Sequence, residues 1–125
     1  MHPVVSRRLV CVLVVCFVVG ASPSSVAAQP MAIVAAVGCV DSDERGRFLV
    51  TQATAPTALQ ERLPEPPPPN SPLGNETIRL VGTLDEFGIS RLDGHKVWVK
   101  GLLNPGDPID LLNLTSITEL SSSCE

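Results

Sequence analysis

The stretch "TIRLVGTLDEFGISRLDGHKVWVKGLL", Thr77 to Leu103, changes periodicity twice. Over Thr77–Gly82 apolar and polar residues alternate, with Ile78 and Leu80 on one face and Thr77 and Arg79 on the other. That is the period of a half-buried strand. Thr83 followed three residues later by Glu86 has the form of a capping box. Leu84, Phe87 and Leu92 can share one helical face, and Gly94 is placed to end it. The spacing therefore predicts one short helix over Leu84–Leu92, weakened at Gly88. From His95 the period returns to two: Val97 and Val99 share one face, and Lys96, Trp98 and Lys100 share the other.

Working outward from this strand–helix–strand unit gives the rest of the order. Upstream, Met31–Val40 is continuously apolar and reads as a buried strand. The polar turn "DSDERG" and the β-rich Arg47–Thr54 complete a hairpin. From Pro56 to Gly74, seven of nineteen residues are proline, which predicts an extended loop whose prolines cannot donate ladder hydrogen bonds. Downstream, "NPGDP" at Asn104–Pro108 is a turn, and Asp110–Leu120 is the last strand. Leu112 and Leu114 set its phase, Ile117 falls out of it, and a bulge at Thr115–Ser116 would restore it.

Five strands with one short helix between strands 3 and 4 is the element order of an OB-like β-barrel, so the fold class read here is mainly β. An open β-sandwich, or a meander with a lid helix, is the alternative. Two further observations bear on where the chain works. Arg7 and Arg8, the apolar run Leu9–Ala21 and "SPSSVAAQ" follow the order of a secretory signal peptide, cut after Ala28. The apolar run, 13 residues, is shorter than the roughly 18 needed to span a bilayer. Residues 1–28 are thus read as a signal peptide and 29–125 as a single domain with its proline-rich loop at 56–74. The expected location is periplasmic or secreted, with no membrane span after cleavage. Of the four cysteines, Cys11 and Cys16 leave with the signal; Cys39 and Cys124 remain and are expected to pair in an oxidising compartment.

Short segments of the chain resemble a family of small exported bacterial proteins. They are Gly38-Cys39, the "GHKVWVKG" of Gly94–Gly101, Thr115-Ser116-Ile117 and the closing Cys124. The resemblance implies an OB-like barrel and brings no catalytic residue with it. The chain departs from that family in its proline-rich insert and in Trp98, where a small or polar residue is usual.

Chemistry is poorly represented. His95 is the only histidine after the signal, with Asp93 two residues away, and neither a nucleophile elbow nor a metal-ligand spacing accompanies it. Asp41–Glu44 resembles a fragment of a calcium loop but lacks its glycine and distal glutamate. "NET" at Asn75 and "NLT" at Asn113 match the glycosylation pattern, and the resemblance to bacterial proteins implies that both matches are chance. No catalytic residue, metal or cofactor is expected, and a small hydrolase or metal-dependent enzyme is the weakest reading. Loss of Arg7 and Arg8 leaves seven basic residues against 13 acidic ones, a net charge of −6. That balance argues against nucleic acid as a partner. What remains is a non-enzymatic binding module for an envelope or extracellular protein, a glycan or a small ligand. An alternative is an envelope structural protein that docks through its proline-rich loop. The candidate surface is Trp98 with Lys96 and Lys100. If Val97 and Val99 face inward, Trp98 lies outside, where either the chain's own loop from Pro64 to Pro72 or an external partner must cover it.

Overall fold

A computed structural model describes Gly20, residues 32–62 and residues 64–125. The expected signal peptide and its cleavage point lie outside the described residues, Gly20 excepted, as does Met31 at the start of the first expected strand.

The fold is mainly β. Its strands are β1 (Ile33–Ser42), β2 (Phe48–Ala53), β3 (Thr57–Ala58), β4 (Glu76–Val81), β5 (Lys96–Asn104) and β6 (Asp110–Ser121). They form one sheet in the order β2-β4-β6-β5-β1-β3, and β2 pairs with β1 as well. The five long strands therefore close a ring of hydrogen bonds. All neighbours are antiparallel except β4 and β6, which run parallel.

The ring follows from what β1 is asked to do. One of its edges pairs with β5 from Ile33 to Cys39. The other edge is divided: Val34 and Ala35 face β3, and Cys39 to Ser42 face β2. Gly38 lies at the changeover. A Cβ there would run into the Val50 side chain and come within 2.9 Å of the Thr51 carbonyl oxygen, so only glycine lets β2 cross this closely. Gly38→Ala should lower stability by about 1–3 kcal/mol through overpacking. Urea unfolding should show this as a lower midpoint with an unchanged slope; an unchanged midpoint would mean that β2 can retreat freely.

The inside of the ring is filled by alternate residues of every long strand: Val34, Ala36 and Val40; Val50 and Ala53; Ile78 and Leu80; Val97 and Val99; Leu112 and Leu114. The alternation expected for "TIRLV" and "KVWVK" is what buries them. In β6 the register steps from Lys100 opposite Ser116 to Gly101 opposite Leu114, leaving Thr115 as the extra residue. This is the expected bulge. It returns Ile117 to the core side, where it packs partly buried. The Thr115 hydroxyl donates to the Lys100 carbonyl at 3.1 Å. Two further irregularities were not expected: one in β2 between Val50 and Ala53, where Gln52 takes a φ of +48°, and one near the end of β6, where the register steps from Val97 opposite Glu119 to Lys96 opposite Ser121.

The expected helix over Leu84–Leu92 is not one helix. Two single 3-10 turns, Leu84–Phe87 and Ile89–Leu92, meet at Gly88, whose φ of +62° ends the first. Its N–H donates to Asp85 at 3.1 Å. Nor does the capping box form: Thr83 makes no side-chain cap bond, and it is the Thr83 carbonyl that accepts the Glu86 N–H. A run this short, with glycine at its centre, gains too few hydrogen bonds to offset nucleation of an α-helix. Its apolar residues still act as anticipated. Ile89, 1% exposed, belongs to the core, with Leu84, Phe87 and Leu92 packed beside it.

Cys39 and Cys124 form a disulfide with a Cα–Cα distance of 6.0 Å. Cys39 pairs with Lys96 and Lys96 with Ser121, so the bridge crosses β5 to tie the end of β6 to the middle of β1.

Candidate functional site

The ring has two outer faces that differ sharply. The first belongs to β1 and β5. Trp98 is on it, opposite Val97 and Val99 as the alternation requires, but it is only 7% exposed. Ala35 and Val37 of β1 lie beneath the same cover, and Val37 is the direct cross-strand neighbour of Trp98. The side chains packed on this patch are Leu59, Leu73 and Leu120. Leu59 and Leu73 bracket Pro64–Pro72, so the ends of the proline-rich loop cover this face. Its apolar grip comes from leucines at the two ends of the loop, outside the Pro64–Pro72 span singled out by the sequence.

Lys96 is buried as well, at 7% exposure. Its ammonium donates to the Pro69 carbonyl at 2.9 Å and to the Ser71 carbonyl. A buried ammonium must find acceptors, and the Pro69 and Ser71 carbonyls, which no backbone N–H of the described residues reaches, supply them. Lys100, half-buried, holds its ammonium 4.7 Å from the centre of the Trp98 ring. That is a cation–π geometry. The three residues expected to form one surface do form one cluster, but two of them are inside it. Only Lys100 reaches an open cleft of about 410 Å³, which it shares with Ile33, Leu59, Arg62, Thr115 and Ser116.

The second outer face, on β2, β4 and β6, differs: among the described residues no apolar cluster packs on it. Because Val50, Ile78, Leu80, Leu112 and Leu114 point inward, Leu49, Thr51, Thr77, Arg79, Val81, Leu111 and Asn113 point outward. Leu49 pairs with Arg79, and Arg79 with Leu111, so a guanidinium is set between two leucines in one row across three strands. Thr77 and Asn113 are exposed, and the other five are half-buried. Among the described residues Arg79 makes no ion pair. Periodicity placed Arg79 opposite Ile78 and Leu80, but the row was hidden because it needs the strand order.

At the hairpin tip, the Asp43 carboxylate accepts the N–H groups of Arg47 and Arg45, each at 2.9 Å, and the Arg47 side chain at 2.6 Å. The Arg47 amide, ahead of the other contacts, holds the Asp43 carboxyl below the ordinary aspartate range. This tightens a turn and gathers no ligand set. His95 sits 2.8 Å from Glu119, both partly exposed. Among the described residues no three His, Cys, Asp or Glu side chains converge on one point. Among them, too, no helix is long and apolar enough to cross a membrane.

Comparison with protein-family models, with curated proteins and with solved structures finds no match for this chain.

Proposed function

We propose that the protein is an exported, non-enzymatic binding module: an OB-like five-stranded barrel that takes its ligand on the outer face of β2, β4 and β6. The single observation that carries this is the asymmetry of the two faces. The chain spends a long loop, three leucines and a buried lysine to close one face, and leaves the Leu49–Arg79–Leu111 row half-exposed on the other. The strand order with its one parallel pair supports the barrel reading, and barrels of this kind bind across a sheet face flanked by loops. Here the flanking loops are the Asp43–Arg47 turn and the segment from Pro105 to Ile109. The disulfide and the signal-like leader support export to a periplasmic or extracellular space.

Arg79 defines the chemistry of the face. A planar guanidinium between two aliphatic side chains suits a carboxylate carried on a partly apolar body, such as an acidic amino sugar. The test is an amide-shift titration of the labelled protein with a muramic-acid disaccharide and, beside it, uncharged chitobiose. The acidic sugar should move Leu49, Thr51, Thr77, Arg79 and Leu111 and leave Lys96–Lys100 still. Arg79→Ala should weaken binding roughly 10–100-fold, the range for a hydrogen bond to a charged group. Shifts centred on Lys100, or none on the β2–β4–β6 face, would reject the proposal.

A further inference from the structure

We infer that the proline run carries a second interaction surface, separate from the sheet face: a polyproline II ridge held rigid for a partner whose groove is lined by aromatic rings. Exposure along Pro64–Pro69 has a period of three. Pro64 and Pro67 are half-buried, while Glu65, Pro66, Pro68 and Pro69 are exposed. Three residues per turn is the polyproline II repeat, and at 3.1 Å per residue the run extends about 16 Å. One edge of this three-sided prism thus rests on the protein, and two edges face outward. A groove that reads polyproline II grips two adjacent edges, packing proline rings between aromatic ones.

Both ends of the segment are tied down. At its start, β3 pairs with β1, and the Leu59 N–H donates to the Ile33 carbonyl at 2.9 Å. At its end, the Ser71 N–H and hydroxyl both donate to the Pro68 carbonyl, at 3.0 and 2.6 Å, and Lys96 holds Pro69 and Ser71. The Gly74 N–H then donates to Gln52 at 2.9 Å. Among the described residues, no hydrogen bond reaches the carbonyls of Pro66 and Pro67. Those are the acceptors a reading groove uses. The ordering entropy that a free proline-rich peptide must lose on docking is already lost here. Exposed Glu61 and Glu65 favour a partner with a basic residue at the groove's rim.

The test uses the oxidised full-length protein against a WW domain and an SH3 domain as probes, titrated by calorimetry. At least one should bind saturably. Pro66→Ala/Pro69→Ala, both on one outward edge, should weaken binding at least tenfold while Trp98 emission stays unchanged, which separates lost contact from lost folding. Lys96→Met should weaken binding severalfold, towards that of a free peptide spanning residues 62–71. If neither probe binds, or if the outward double variant binds like the parent, the ridge is not a recognition surface. Failure of the sugar titration would leave this result untouched, because the two surfaces share no residue.

Discussion

Reduction of the Cys39–Cys124 bridge should remove about 4–5 kcal/mol of stability. The two cysteines are 85 residues apart, and opening a loop of that size returns roughly this much chain entropy to the unfolded state. The folded state loses little, since Cys39 is buried and its thiol can stay packed as a small apolar group. For a domain near 100 residues, each kcal/mol corresponds to about 4–8 °C, so the melting temperature should fall by about 20 °C or more. Circular dichroism melts with and without reductant measure it, and Cys124→Ala should reproduce the reduced curve. A change of only a few degrees would mean that the reduced chain keeps β1 and β6 together without the bridge.

Trp98→Ala should cost about 3–5 kcal/mol, in the range for truncating a large buried aromatic side chain. The indole is the largest member of the Ala35–Val37–Trp98 cluster on which Leu59, Leu73 and Leu120 pack, so its removal should loosen the loop's hold on the ring. The loss should therefore be visible locally before the ring unfolds. Trypsin should cut after exposed Arg62 in the variant under conditions where the parent is resistant, while the ring's β-sheet spectrum persists. Equal resistance of variant and parent would show that Lys96 and the β3 pairing hold the loop by themselves. It would also move the weight of that face from apolar packing to hydrogen bonds.

Much of the ring was legible because it rests on alternation. Ile78 with Leu80, and Val97 with Val99, announce their faces in the sequence, and Ile117 out of phase with Leu114 announces the Thr115 bulge. The pairing of Cys39 with Cys124 needed only a count and a compartment. What the chain did not disclose depends on neighbours far away in sequence. Gly38 matters because β2 crosses it, which only the closed ring reveals. Lys96 looked like a surface residue, and its burial depends on carbonyls of Pro69 and Ser71, some 25 residues upstream. The helix was misjudged for a local reason: the apolar spacing was right, but Gly88 divides too short a run. The half-exposed Leu49–Arg79–Leu111 row joins three strands that are not consecutive in the chain, so no reading along one strand could assemble it.

The parallel pairing of β6 with β4 has a consequence for timing. β6 is the last strand of the ring in chain order, and it alone joins β4 to β5. Without it the other long strands form only the strip β4-β2-β1-β5, open along both outer edges. If the chain is exported N-terminus first, as proposed, it cannot shut its ring until β6 has emerged. Such an order would keep the polypeptide pliable during passage and postpone its commitment to a rigid shape until it reaches the far side.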